Sequence, residues 1–97
     1  MLLKLGVDIS KLHRPIRKIL NHIENIYQQH NEEPVITSTY EGTHSPSSLH
    51  YCHDAVDVRN PTTNRDEIYK ELEQKLGKDY DVVQERRHIH IEYDPKG

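Results

Sequence analysis

The sequence predicts an α+β fold: a small antiparallel sheet packed against two helices. Two stretches carry apolar residues at helical spacing, Leu12 to Tyr27 and Ile68 to Leu76. Between and after them come short runs rich in β-branched residues and Tyr that alternate at period two. The two kinds of segment are not interleaved as βαβ units, which points away from a doubly wound parallel sheet.

The first helical stretch places Leu12, Ile16, Ile19, Leu20, Ile23, Ile26 and Tyr27 on one face. Pro15 has no backbone N–H to donate and belongs in a first turn, so the helix is expected to start at Arg14 or Pro15. It should run unbroken to His30-Asn31, ahead of Pro34. His13, His22 and His30 fall off the apolar face and read as solvated surface. PVITSTY, from Pro34 to Tyr40, reads as a strand, and EGTHSPSS as a loop of turn-forming residues.

AVDVR, from Ala55, is the next strand, with Val56 and Val58 on one face and Ala55 and Asp57 on the other. NPTTN is a turn from which Thr63 or Asn64 can cap a helix over Arg65 to Leu76, stopped by Gly77. Asp79 to Glu85 and His88 to Asp94 flank Arg86-Arg87 and predict an antiparallel hairpin. With no repeat, low-complexity segment or composition break, residues 1–97 form a single domain.

The chain lacks Trp and Phe, so Tyr, Ile, Leu and Val must supply its core. A formal net charge of −3 argues against a nucleic-acid footprint. The opening MLLKLGVDIS is too short and too charged for a membrane helix or signal peptide. The expectation is a protein cytoplasmic as synthesised, with no membrane partner, that meets any extracellular target after release. The single cysteine, Cys52, excludes an internal disulfide; it stands two residues after His50 and reads as a small side chain beside a strand.

Eight histidines are heavy usage for 97 residues, and His44, His50 and His53 all fall in HSPSSLHYCHDAVD. His50 on a loop and Asp57 on the strand it feeds form a mixed nitrogen and oxygen donor pair that suits zinc once another imidazole arrives. HIHIEY offers His88 and His90 on one strand face, with Ile89 and Ile91 directed to the core. Glu85 lies just upstream as a carboxylate able to accept a proton, although strict alternation puts it on the face opposite the histidines unless the turn re-aims it. Glu92 shares the histidine face. A His, an Asp, a His pair and a nearby Glu are the parts of a hydrolytic zinc site.

These residues resemble a known family. SLHYCHDAVD is similar to the S-x-H-x-x-G-x-A-x-D motif of the zinc D-alanyl-D-alanine carboxypeptidases and the L-alanyl-D-glutamate endolysin peptidases. It is closer still to the zinc-bearing signalling domain of Hedgehog, which shares their fold. The resemblance covers the chain from Val35 onward. It implies a Hedgehog/DD-peptidase fold, a Zn2+ cofactor and, as ligands, His50, Asp57 and His90. His88 then resembles the family's histidine beside the bound water or oxyanion, and Glu85 its general base. Glu85 is three residues before His88, so His88 as ligand with His90 in support stays open. His44 matches a further histidine of the Hedgehog site. His53 stands where the motif has Gly, and Tyr40 is followed by Glu41 rather than by the Arg that could contact a substrate carboxylate. The implied function is hydrolysis of peptidoglycan stem peptides. A zinc-bearing binding or structural module without turnover is the alternative.

Overall fold

The computed structural model describes residues 1–40 and 54–95. It shows an α+β domain: strand β1 (Leu2–Leu3), a single helical turn α1 (Arg14–Arg17), helix α2 (Leu20–Gln29), β2 (Val35–Tyr40), β3 (Ala55–Arg59), α3 (Arg65–Leu76), β4 (Tyr80–Gln84) and β5 (His88–Tyr93). The five strands form one sheet in the order β1-β2-β3-β5-β4. The sheet is not wholly antiparallel as expected, because β1 runs parallel to β2. Leu2 donates its N–H to the Pro34 carbonyl and Lys4 to that of Ile36, at 2.9 Å each, so the opening segment adds an edge strand the sequence did not announce.

One face of the sheet makes the core. Ile36, Val56, Val58, Val82, Ile89 and Ile91 meet Ile16, Ile19, Ile23, Tyr27, Ile68 and Leu72 from the helices. Alternation along β3 and β5 therefore does what the sequence predicts: the Val56/Val58 and Ile89/Ile91 pairs are fully buried on the helix side. Ala55, Asp57, His88, His90 and Glu92 are left for the opposite face.

The first helix departs from expectation. It is broken at Lys18–Ile19, between α1 and α2. A regular helix would send the Ile19 N–H to the Pro15 carbonyl. Instead that carbonyl accepts the Tyr80 hydroxyl at 2.7 Å, and Ile19 donates to Ile16 at 3.1 Å, tightening the turn. His13 and His30 are not plain solvated surface. His13 Nδ1 lies 2.6 Å from the buried Asp54 carboxylate, and the largely buried His30 lies 2.7 Å from Glu71, tying α2 to α3.

α3 starts and stops where predicted, with Gly77 ending it at φ +81°, a positive value glycine takes without the steric cost a Cβ brings. The expected side-chain cap is absent. Asn64 takes a left-handed backbone and makes no side-chain cap bond, while the Thr62 and Thr63 hydroxyls bond the Glu32 carboxylate at 2.9 and 3.3 Å. The bond from the Thr62 N–H, then those from the two hydroxyls, hold the Glu32 carboxyl below its ordinary pKa.

Candidate metal centre

Asp57 is the fixed point of the helix-free face. It sits on the central strand β3 with its side chain almost fully buried, directly opposite His90 on β5. A buried carboxylate must be paired or hydrogen-bonded, and this one has partners on both oxygens. His90 Nδ1 lies 2.6 Å from Oδ1; because a carboxylate only accepts, Nδ1 carries the proton. On Oδ2, the Tyr40 hydroxyl donates at 3.1 Å and His88 Nε2 stands at 3.4 Å. His88 Nε2 is also 3.2 Å from Glu85 Oε2.

The structure thus brings together four of the five predicted site residues: Asp57, His90, His88 and Glu85. The fifth, His50, lies outside the described residues, as do His44, Cys52 and His53. Alternation predicted Glu85 on the far face; the turn brings it to the histidine side. Asn60 Nδ2 donates to the Glu85 and Arg86 carbonyls at 3.1 Å each, and Arg65 donates to the Glu85 carbonyl at 2.9 Å. With the Glu85 N–H on the His88 carbonyl at 2.9 Å, the connection 85–87 is clamped so that the Glu85 side chain meets His88.

The second ring nitrogen of His90 lies 3.5 Å from Glu92 Oε1. His90 is thus set between two carboxylates. Burial pulls its pKa down, but hydrogen bonds and charge from Asp57 and then Glu92 outweigh burial, and the net shift is upward from 6.5. Tyr40 was not foreseen, for a definite reason. Counting by twos from buried Ile36 places Tyr40 in the core. A register shift between Ile36 and Ser38 moves Ser38 opposite Asp57 and Tyr40 opposite Ala55, onto the site face. The ring meets His90 edge-on at 5.7 Å. The charge of Asp57, then burial, holds the Tyr40 phenol above its ordinary pKa, so it stays a donor.

The donor chemistry fits zinc at Asp57 and His90. Oxygen and nitrogen ligands about 2.1 Å from a tetrahedral ion stand about 3.4 Å apart. The pair is 2.6 Å apart across a single proton, so exchanging that proton for an ion requires only a small parting of side chains. Glu92, 3.5 Å from Nε2, stands where a carboxylate would orient the imidazole if His90 held a metal.

Among the described residues, one group of three carboxylates also converges. Oxygens of Asp81, Glu92 and Asp94 all lie within 4.8 Å of one another and could hold a metal ion. Asp81 pairs directly with Glu92 across β4 and β5, and Asp94 continues the same strand parity. The D-Y-D and E-Y-D spacings carried that signal in the sequence. An all-oxygen set suits a hard cation better than zinc. No helix among the described residues is long and apolar enough to cross a membrane. No protein-family model, curated protein or solved structure matches the chain.

Proposed function

We propose that the chain is a zinc-dependent metallopeptidase of Hedgehog/DD-peptidase type that cleaves peptidoglycan stem-peptide bonds. The observation that carries this reading is the meeting of His90, Asp57, His88 and Glu85 on one sheet face, linked one to the next by contacts of 2.6, 3.4 and 3.2 Å. In this reading Asp57 and His90 Nδ1 are ligands and His50 completes the set. Zinc, when bound, polarises the scissile carbonyl and lowers the pKa of a water to about 7.

The chain's own groups supply the rest. Glu85 accepts the proton of the attacking water and returns it to the leaving amine. His88 donates from Nε2 toward the charge that develops on the carbonyl oxygen. Tyr40 holds the Asp57 oxygen turned away from His90, and Glu92 fixes the ring of His90.

A non-catalytic zinc-binding module is the second reading. It is favoured by the Glu85–His88 contact, which is also what an ordinary pair three residues apart makes on a surface. The test is metal analysis of the purified protein followed by mass spectrometry of peptidoglycan incubated with it. Zinc together with new stem-peptide termini supports the peptidase, and zinc without new termini supports the module. No zinc in wild type under loading conditions removes both.

A further inference from the structure

The exposed apolar side chains of the described residues are not scattered. The large ones are Leu2, Leu3, Leu5, Tyr40 and Val83. Leu2, Leu3 and Leu5 stand together on the edge strand β1 and the turn after it, and Tyr40 lines the same hollow as Leu5. That hollow, of about 520 Å³, is also bordered by Lys4 and Lys11. We propose that this leucine corner is a docking surface for an anionic lipid bilayer, with the leucines entering the interface and Lys4 and Lys11 meeting lipid phosphates. The proposal stands apart from the peptidase reading and does not depend on it.

The backbone holds the leucines out. β1 is fixed at the sheet edge by its pairing with β2. The chain then reverses in a tight turn closed by the Val7 N–H on the Lys4 carbonyl at 2.9 Å. Gly6 takes φ +91° at the third position, as a type II turn requires. Leu5 is left at the tip, fully exposed. A polar residue would serve that turn equally well, so the fold itself gains nothing from a leucine there. Leu2 and Leu3 are 57% and 43% exposed beside it. Grouped apolar exposure of this kind marks an interaction surface, whereas single exposed leucines do not.

Charge decides between the possible occupants. Residues 1–18 carry Lys4, Lys11, Arg14, Arg17 and Lys18 against Asp8 alone, in a chain whose net charge is −3. All five cations are exposed. Asp8 is engaged in its own turn, where Oδ1 accepts the Ser10 N–H at 2.8 Å. A second copy paired two-fold on β1 would set Lys4 and Lys11 of one chain near those of the other. β1 is also a poor template for strand addition, with two residues and a lysine directly after them. A bilayer needs neither self-complementarity nor a long edge. Apolar insertion and attraction to lipid phosphate add to each other there. The segment is too short to cross a membrane, and docking asks only that it lie on one. The hollow ends at Tyr40, whose hydroxyl bonds Asp57, so a chain held by this corner carries the candidate centre close to the lipid surface.

The test is co-sedimentation of the full chain with phosphatidylglycerol vesicles and with phosphatidylcholine vesicles, beside sedimentation velocity of the chain alone. Binding to phosphatidylglycerol should exceed binding to phosphatidylcholine by about tenfold or more and should weaken with added salt. Leu5→Ser should weaken it by about tenfold, and Lys4→Gln and Lys11→Gln by about fivefold each. These side chains are exposed, so all three variants should keep the far-ultraviolet circular dichroism of wild type. Val83→Ser, on β4 at the opposite edge of the sheet, should bind as wild type does. No binding to phosphatidylglycerol, equal binding to the two lipids, or binding indifferent to Leu5→Ser overturns the proposal. A dimer in the absence of vesicles that Leu5→Ser dissolves also overturns it, and assigns the corner to a second copy of the chain.

Discussion

His90 Nδ1 and Asp57 Oδ1 lie 2.6 Å apart across directly paired positions of β5 and β3, on the sheet face away from the helices. A metal at this pair must replace the proton that joins them. Asp57→Asn keeps the size and removes the charge, and should abolish stoichiometric zinc binding while retaining the far-ultraviolet circular dichroism of wild type. Zinc content after dialysis measures it. Full zinc occupancy in Asp57→Asn would place the metal elsewhere.

The same proton gives a pH dependence with a definite sign. His90 has its pKa raised in the folded, metal-free chain. Its contribution to stability is therefore fully present below its unfolded value of 6.5 and is lost as pH rises through the higher folded value. Zinc binding has the opposite trend, because the ligand nitrogen must be free of its proton. Melting curves between about pH 6 and about pH 8 should show chelator lowering the melting temperature most at the alkaline end. His90→Gln should remove both trends; a chelator effect independent of pH in wild type would refute the linkage.

Glu92 lies 3.5 Å from His90 Nε2, so in the proposed zinc site it would act on the metal through the ring it orients. Glu92→Gln should weaken zinc by about 10- to 100-fold, the usual scale for a carboxylate behind a ligating histidine. Competition with a chelator of known affinity reads this directly. If zinc affinity holds and hydrolysis alone disappears, Glu92 is the proton acceptor and Glu85 is not.

What was legible in the sequence was local. Period-two alternation put Val56, Val58, Ile89 and Ile91 in the core and Asp57, His88 and His90 together on the other face. What was not legible depended on partners far along the chain. The break in the first helix is set by Tyr80, sixty-five residues from the Pro15 carbonyl it bonds. Tyr40 reached the site through a register shift that nothing in VITSTY marks. Glu85 was turned to the histidines by Asn60 and Arg65. The predicted cap failed because Glu32, thirty-one residues earlier, took the Thr63 hydroxyl and Asn64 adopts a left-handed backbone.

The Tyr80 contact can be tested by itself. Tyr80→Phe leaves the Pro15 carbonyl without its donor while preserving the ring packed on Tyr93. The loss should be about 1 kcal/mol, a fall in melting temperature of about 4–8 °C for a chain of this size. An unchanged melting temperature would show that Ile19 can recover the carbonyl and continue the helix.

The last prediction concerns how Glu85 is aimed. Glu85→Gln keeps the shape and removes the proton acceptor, so turnover on stem peptides should fall by about two to four orders of magnitude with zinc retained. That alone would not distinguish a base from a residue that merely pairs with His88. Asn60 separates the two: its side-chain amide bonds the Glu85 and Arg86 carbonyls, and among the described residues no hydrogen bond joins it to Asp57, His88 or His90. Asn60→Ala frees the turn, so a base that depends on aim should lose turnover while zinc affinity stays at the wild-type value. In the double variant the second substitution should then cost almost nothing, because the base that the clamp positions is already gone. Independent, multiplicative losses from Asn60→Ala and Glu85→Gln would mean the clamp serves the fold and not the carboxylate.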